Sequence, residues 1–197
     1  MTKSKRDILI ETAYLLFYEK GFHATGLAEI LATASVAKGT LYQHFKSKDA
    51  LIEAVLEHEG EKIHAVFVEA VERSADTPRD RLLAIFDVQH ALWLRHRGFL
   101  GCPFIRAAGE YVARNHPVHQ IAAMNKRLFM GYFRELATAA GAHDPRELAR
   151  QLALLFEGAV ILTHVSGEPD AAVHARRAAS VLIDAALAAP AKGHIRS

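Results

Sequence analysis

The sequence predicts an all-α protein: a three-helix head built around a helix-turn-helix, followed by a larger helical bundle domain, about nine helices in total. Three observations predict it. Apolar residues recur at the three-to-four spacing of helices, and the breaks between stripes carry Pro, Gly, Asp, Ser and Thr where helices start and stop. The apolar fraction is 51% with only 8% aromatic residues, as in bundles rich in Ala and Leu. The chain of 197 residues has room for a small head, residues 1–47, and a core-forming domain, residues 48–197.

In the head, Ile10, Ala13, Leu16 and Phe17 form a first stripe. Leu27, Ile30, Leu31 and Ala34 form a second, and Val36, Leu41 and Phe45 a third after a break at Ala34-Ser35-Val36. Helices this short cannot bury their stripes alone, so the three must pack together. What remains outside on the third helix is Lys38, Gly39, Thr40, Tyr42, Gln43 and His44, followed by Lys46 and Lys48, with no carboxylate until Asp49. In a helix-turn-helix the second helix enters the major groove of duplex DNA while flanking groups hold phosphates. Ala37, Lys38, Gly39, Thr40 and Gln43 are therefore candidates for base readout. Tyr42, His44 and Lys48 are candidates for phosphates, and Thr25 offers another phosphate a hydroxyl and a helix N-terminus.

The following elements are cut by their caps. Ser47 caps a long helix from about Lys48 to Arg73. Thr77-Pro78 opens a helix to about His96. Gly98, Gly101 and Pro103 break the chain before a shorter helix to about Arg114. His116-Pro117 starts a helix toward Ala140, which Gly141 ends. Asp144-Pro145 begins one through Val165, and Asp170 caps a last helix to about Ala188.

Residues 1–50 hold seven Lys or Arg against five Asp or Glu, so the whole formal excess of +2 lies in the head. Binding through a limited number of phosphate contacts is expected, with moderate salt sensitivity. No apolar run comes close to a membrane span of about 18 residues, and Asp7 and Glu11 interrupt any signal-peptide core; a cytoplasmic protein is expected. A single cysteine, Cys102, excludes an intrachain disulfide and a multi-cysteine metal knuckle. It reads either as a small buried apolar residue or as a sensor thiol at a helix start. His116 and His119, or His58 and His64, form no recognised metal cluster, so neither a metal nor another cofactor is expected.

Arg6, Ala13, Leu16-Phe17, Gly21-Phe22, Thr25, Ile30, Ala34, Val36, Lys38-Gly39-Thr40-Leu41-Tyr42, His44-Phe45, Ser47-Lys48 and Leu51 together resemble the N-terminal domain of the TetR family of transcriptional regulators. Gly101-Cys102-Pro103-Phe104 with Ala107-Ala108-Gly109-Glu110-Tyr111 is similar to a segment of one subgroup's ligand-binding domains. Two positions depart from the family pattern. Ser35 stands where the family usually has Gly in the turn, and Gly26 where it often has a hydroxyl residue. The resemblance implies a homodimer paired through the last two helices, a palindromic double-stranded operator, and a small-molecule effector that releases a repressor. The stripes Leu148, Leu152, Leu155, Ala159, Leu162 and Val181, Leu182, Ala185 are the candidate dimer interface.

For an effector, Phe86, His90, Trp93, Cys102, Phe104, Met124, Leu128 and Phe156 are candidate pocket residues, which suit an apolar or aromatic molecule of little charge. The competing reading is a ligand-carrying or enzymatic helical domain with a vestigial head. No Gly-x-Ser-x-Gly elbow, His-Glu-x-x-His, phosphate-binding loop or paired-carboxylate site supplies a catalytic nucleus, so no catalytic residue and no enzyme are expected.

Overall fold

In the computed structural model, which describes residues 3–95 and 98–188, the described residues form nine α-helices, one π-helical turn and no strands. The helices are α1 Lys5–Lys20, α2 Leu27–Ala34, α3 Lys38–His44, α4 Lys48–Ser74, α5 Pro78–Gln89, α6 Pro103–Glu110, α7 Pro117–Ala139, α8 Pro145–Ser166 and α9 Ala171–Leu187.

Caps set most boundaries. The Ser4 hydroxyl accepts the Asp7 N–H at 3.1 Å, Ser47 accepts that of Ala50 at 3.1 Å, and Thr77 accepts that of Asp80 at 3.1 Å ahead of Pro78. Asp144 accepts from Arg146 and Glu147 at 3.1 and 3.0 Å. Gly167 closes α8 in the left-handed region, with φ 71°, where glycine alone is unstrained.

Two boundaries differ from the sequence expectation. The helix from Pro78 is α-helical only to Gln89 and continues as a π turn over His90–Leu94. That turn carries Trp93 edge-on to the rings of Phe129 and Phe156, with centroids 6.4 and 6.3 Å away. The helix from Pro103 ends at Glu110, four residues short of Arg114. Tertiary bonds take over there: Tyr111 donates its hydroxyl to Asp49 Oδ1 at 3.0 Å and its carbonyl meets His119 Nδ1 at 2.8 Å.

The packing divides into two compact units, Met1–Val68 with Gly98–Leu128 and Glu69–Arg97 with Phe129–Ser197. The division proposed from sequence at residue 47 does not coincide with it. The first unit has one core, in which Leu9, Ala13 and Phe17 of α1, Ile30 of α2 and Leu41 of α3 meet Leu51, Ile52 and Val55 of α4 and Phe104 and Ala107 of α6. Removing the Leu, Ile, Val and Phe side chains among them from water contributes about 1.5–3 kcal/mol each, which is what holds three short head helices together. In the second unit, Phe86, Phe133, Leu148, Leu152 and Ile183 are buried, and Gln89 donates its amide to the Phe156 carbonyl at 2.8 Å. By length and composition alone α8 is apolar enough to cross a membrane, although Arg150 and Glu157 interrupt its apolar residues. Its second apolar face explains this and is described below.

Candidate nucleic-acid interface and effector cavity

The turn between α2 and α3 rests on Ser35, which has φ 51° and is the only non-glycine with positive φ among the described residues. The Val36 N–H returns to the Leu31 carbonyl at 3.1 Å. A side chain in this left-handed conformation costs roughly 1–2 kcal/mol, and burial of Ile30 before the turn and of Val36 and Leu41 after it offsets it.

Leu41 is the one buried residue of α3. Ala37, Lys38, Gly39, Tyr42, Gln43 and His44 are exposed and Thr40 is half-buried. The Lys38 ammonium lies 5.9 Å from the centroid of the Tyr42 ring, and a Cβ at Gly39 would meet nothing within 4 Å. This is an open face of cations, amide and hydroxyl groups without an anion. Lys46 and Arg6 extend it as exposed cations, with the Arg6 guanidinium 5.7 Å from the Phe45 ring centroid. Lys46 belongs to the cationic junction already legible in the sequence, whereas Arg6 lies on a different helix and only folding brings it to Phe45.

Thr25 is a correction. It is fully buried, and its hydroxyl donates to the Gly21 carbonyl at 2.7 Å, so it fixes the end of the α1–α2 turn and has no surface for a phosphate. Lys48 is half-buried and spends one N–H on the His23 carbonyl at 3.1 Å.

Within the first unit, α4 and α7 border a cavity of about 950 Å³ that is open to solvent, near the upper end of the range of small-molecule sites. Leu56, Gly60, Phe104 and Ile121 line it, with Glu53, Glu57, Glu61, Arg114, His119 and Arg127 among its polar residues. Asn125 also lines it; it is 7% exposed, and its Nδ2 has no hydrogen-bond partner. A Cβ at Gly60 would stand 3.3 Å from Phe104 Cζ and 3.4 Å from this Nδ2, so the glycine allows both to approach α4.

Of the candidate effector residues, Phe104, Met124 and Leu128 line this cavity. Cys102 belongs to the same unit without lining it, and its sulfur accepts from Lys126 Nζ at 3.3 Å. Phe86, His90, Trp93 and Phe156 belong to the second unit and line neither cavity described here. Phe86 and Phe156 are core side chains. On the π turn His90 Nδ1 is buried without a partner, as is Gln89 Oε1 beside it.

In the second unit α8 and α9 frame an open groove of about 460 Å³ lined by Leu154, Leu155, Gly158, Ala159, Leu162, Ala171, His174, Ala175 and Ala178 with Glu168. Leu148 and Leu152 are buried in the core of a single chain and cannot meet a partner; Ala159 forms the groove floor. Leu155 and Leu182 are half-buried, and Leu162, Val181 and Ala185 are exposed. The outward face also contains Leu154, 75% exposed, Val165, 71%, and Ile161. Sequence periodicity missed these because a helix with apolar residues on two faces has no single stripe to read.

Several chains of known character are similar to this one. Residues 9–55 match the family model described as bacterial regulatory proteins, tetR family, and residues 78–179 the one described as tetracyclin repressor-like, C-terminal domain. The transcriptional repressor NemR of Escherichia coli is 28% identical over 170 residues, 82% of this chain and 84% of its own. A TetR-family regulator from Streptomyces coelicolor superposes with TM-score 0.85 at 28% identity, covering 93% of this chain and 96% of that one. The reduced form of E. coli NemR has the same fold, with TM-score 0.79 at 24% identity over 95% of this chain and 100% of that one.

Proposed function

Because the chain belongs to the TetR family of transcriptional regulators, we propose that it binds a palindromic operator as a homodimer and is released from it by a small molecule held in the cavity of the first unit. One observation carries the DNA reading: the exposed face of α3, from Ala37 to His44, presents donors, small residues and cations and no carboxylate. Such a face suits the base edges and phosphates of a major groove, with Lys38 and Gln43 as base readers and Tyr42, His44, Lys46 and Arg6 toward the backbone. Since NemR is by name a repressor, repression is the direction we assign.

The apolar residues left exposed on α8 and α9 support a dimer. A closed two-fold contact through Leu154, Leu162, Val165 and Val181 removes them from water and sets two recognition helices roughly 34–36 Å apart on the operator. The effector is a small molecule with an apolar or aromatic body. Leu56, Phe104, Ile121, Met124 and Leu128 receive the body, while exposed Glu57, Glu61, Arg114 and Arg127 select for neither sign of charge. Coupling of about 1–3 kcal/mol between the two ligands is typical of such regulation.

The test is selection of bound duplexes from a random pool by the purified chain, repeated across salt concentrations. Enrichment of a palindrome supports the dimeric regulator. No enrichment at low salt overturns it.

A further inference from the structure

Two locally unfavourable choices meet at one point on the wall of the first unit's cavity. The first is Asn125 of α7. Its side chain is almost wholly buried and its Nδ2 has no hydrogen-bond partner, whereas buried amide groups are bonded in nearly every native structure. The second is Gly60, close to the middle of the 27-residue helix α4, where only proline is a poorer helix former. An added Cβ there would stand 3.4 Å from Asn125 Nδ2 and 3.3 Å from Phe104 Cζ. The absent side chain therefore brings an unbonded amide and an aromatic ring together at the cavity.

The residues around this point sort by helical register. On α4, buried Leu56 and Gly60 lie one turn apart, and Glu53, Glu57 and Glu61 form the neighbouring stripe. On α7, Ile121, Asn125 and Leu128 stand at i, i+4 and i+7 and so share a face. All of them line the cavity together with Phe104. Among the described polar residues that line it, Asn125 alone is buried; Glu57, Glu61, Arg114 and Arg127 are exposed and carry both signs of charge. His119 is half-buried, and its Nδ1 already meets the Tyr111 carbonyl at 2.8 Å. Recognition at depth is thus left to a single amide in apolar surroundings.

An Nδ2 group donates, so its partner must bring an acceptor. A carboxylate offers one, but it would carry a full charge among Leu56, Ile121 and Phe104 with Glu53 on the same wall, a costly desolvation. A hydroxyl brings a hydrogen that these apolar neighbours cannot accept. A carbonyl oxygen has lone pairs, no proton and no net charge, and so leaves nothing of its own unsatisfied.

We propose that Asn125 is the specificity-determining residue of the cavity and that its ligands are neutral carbonyl compounds without an N–H or O–H at that group, ketones above all. The oxygen accepts from Asn125 Nδ2 while an aromatic or alicyclic body packs against Phe104, Leu56 and Ile121. This names the ligand class of the cavity and rests on the effector reading only for its consequence at DNA.

The probes are α-tetralone and tetralin, which share one bicyclic frame and differ by a carbonyl in place of a methylene. Both are titrated calorimetrically into the full chain without DNA, and into Asn125→Leu, which has nearly the same volume and no donor. The leucine change is expected to weaken α-tetralone about tenfold relative to tetralin, as for a hydrogen bond that satisfies a buried donor; taking the ratio cancels the different hydration of the two probes. The carbonyl stretching band of bound α-tetralone is expected at lower frequency in the wild-type chain than in the variant.

Should the leucine variant not fold, Asn125→Ala serves in the same cycle. An affinity ratio that the substitution leaves unchanged, a carbonyl band that does not respond to it, or no binding of either probe overturns the proposal. An α-tetralone that binds through Asn125 yet leaves the selected duplex complex intact overturns the effector reading alone. Likewise a chain that enriches no duplex removes the regulator reading, and the titration cycle still decides the role of Asn125.

Discussion

Replacing Thr25 by Val separates a structural hydroxyl from a DNA-contacting one. The two side chains have nearly the same shape, so the change removes only what Oγ1 donates: the wholly buried 2.7 Å bond to the Gly21 carbonyl and a longer contact, 3.3 Å, to that of Leu16. Leaving a buried carbonyl without this donor costs about 1–3 kcal/mol. For a chain of this size each kcal/mol lowers the melting temperature by about 2–4 °C, so a fall of about 2–12 °C is expected by calorimetry. Below that transition, the duplex affinity and its salt dependence should match wild type. A phosphate-bound hydroxyl predicts the reverse: unchanged melting and a specific loss of duplex affinity at every salt concentration. That second pattern would refute the reasoning, because it requires the hydroxyl to leave Gly21 and reach the surface.

The dimer assignment separates two neighbouring leucines on α8. Leu154→Glu should halve the sedimentation mass and weaken operator binding at least about tenfold with the helical spectrum intact, whereas Leu152→Glu places a charge in the core and should unfold the chain, at a cost of several kcal/mol. Ser35→Gly should raise stability by about 1 kcal/mol by relieving a left-handed side chain, seen as a melting temperature about 2–4 °C higher; a lower one would mean that the serine hydroxyl supports the turn. Lys38→Ala should change the preferred bases in a selection experiment, while Lys46→Ala should weaken all duplexes alike and reduce the salt slope by about 0.9. Burial opposes ionisation of Glu110, but the N–H groups of His23 and Phe22 and the His23 side chain outweigh it and hold its carboxyl below the ordinary range. Its contribution to stability is therefore full above that range and lost as pH falls through the depressed value; Glu110→Gln should flatten the acid limb of a stability profile, and an unchanged limb would remove Glu110 from it.

The caps made most helices legible. Thr77-Pro78, Asp144-Pro145 and Gly167 satisfy or end backbone groups within a few residues, so their meaning is local and survives folding. The outward face of α3 was legible for the same reason: one buried leucine in seven residues leaves little doubt about which side is free. Thr25 was misread because a hydroxyl beside a helix start looks identical whether its partner is a phosphate or a carbonyl nine or four residues back. Leu148 and Leu152 were misread because α8 is apolar on two faces, and periodicity alone does not tell the core face from the face left exposed. Phe86 and Phe156 carry the residue types of a pocket, but those are also the residue types of a core.

The sequence by itself determined the all-α class, the helix-turn-helix and its exposed cations, because these follow from spacing and caps within a few turns of chain. Only the tertiary structure decided that the head shares a core with Gly98–Leu128, that Arg6 approaches Phe45, and that Arg106 and Glu110 grip the α1–α2 turn from more than eighty residues away. The physical reason is range. Caps and turns close bonds between near neighbours, whereas the partners of Glu110 are backbone N–H groups that look alike in every sequence and become distinct only when folding leaves two of them free at its carboxylate.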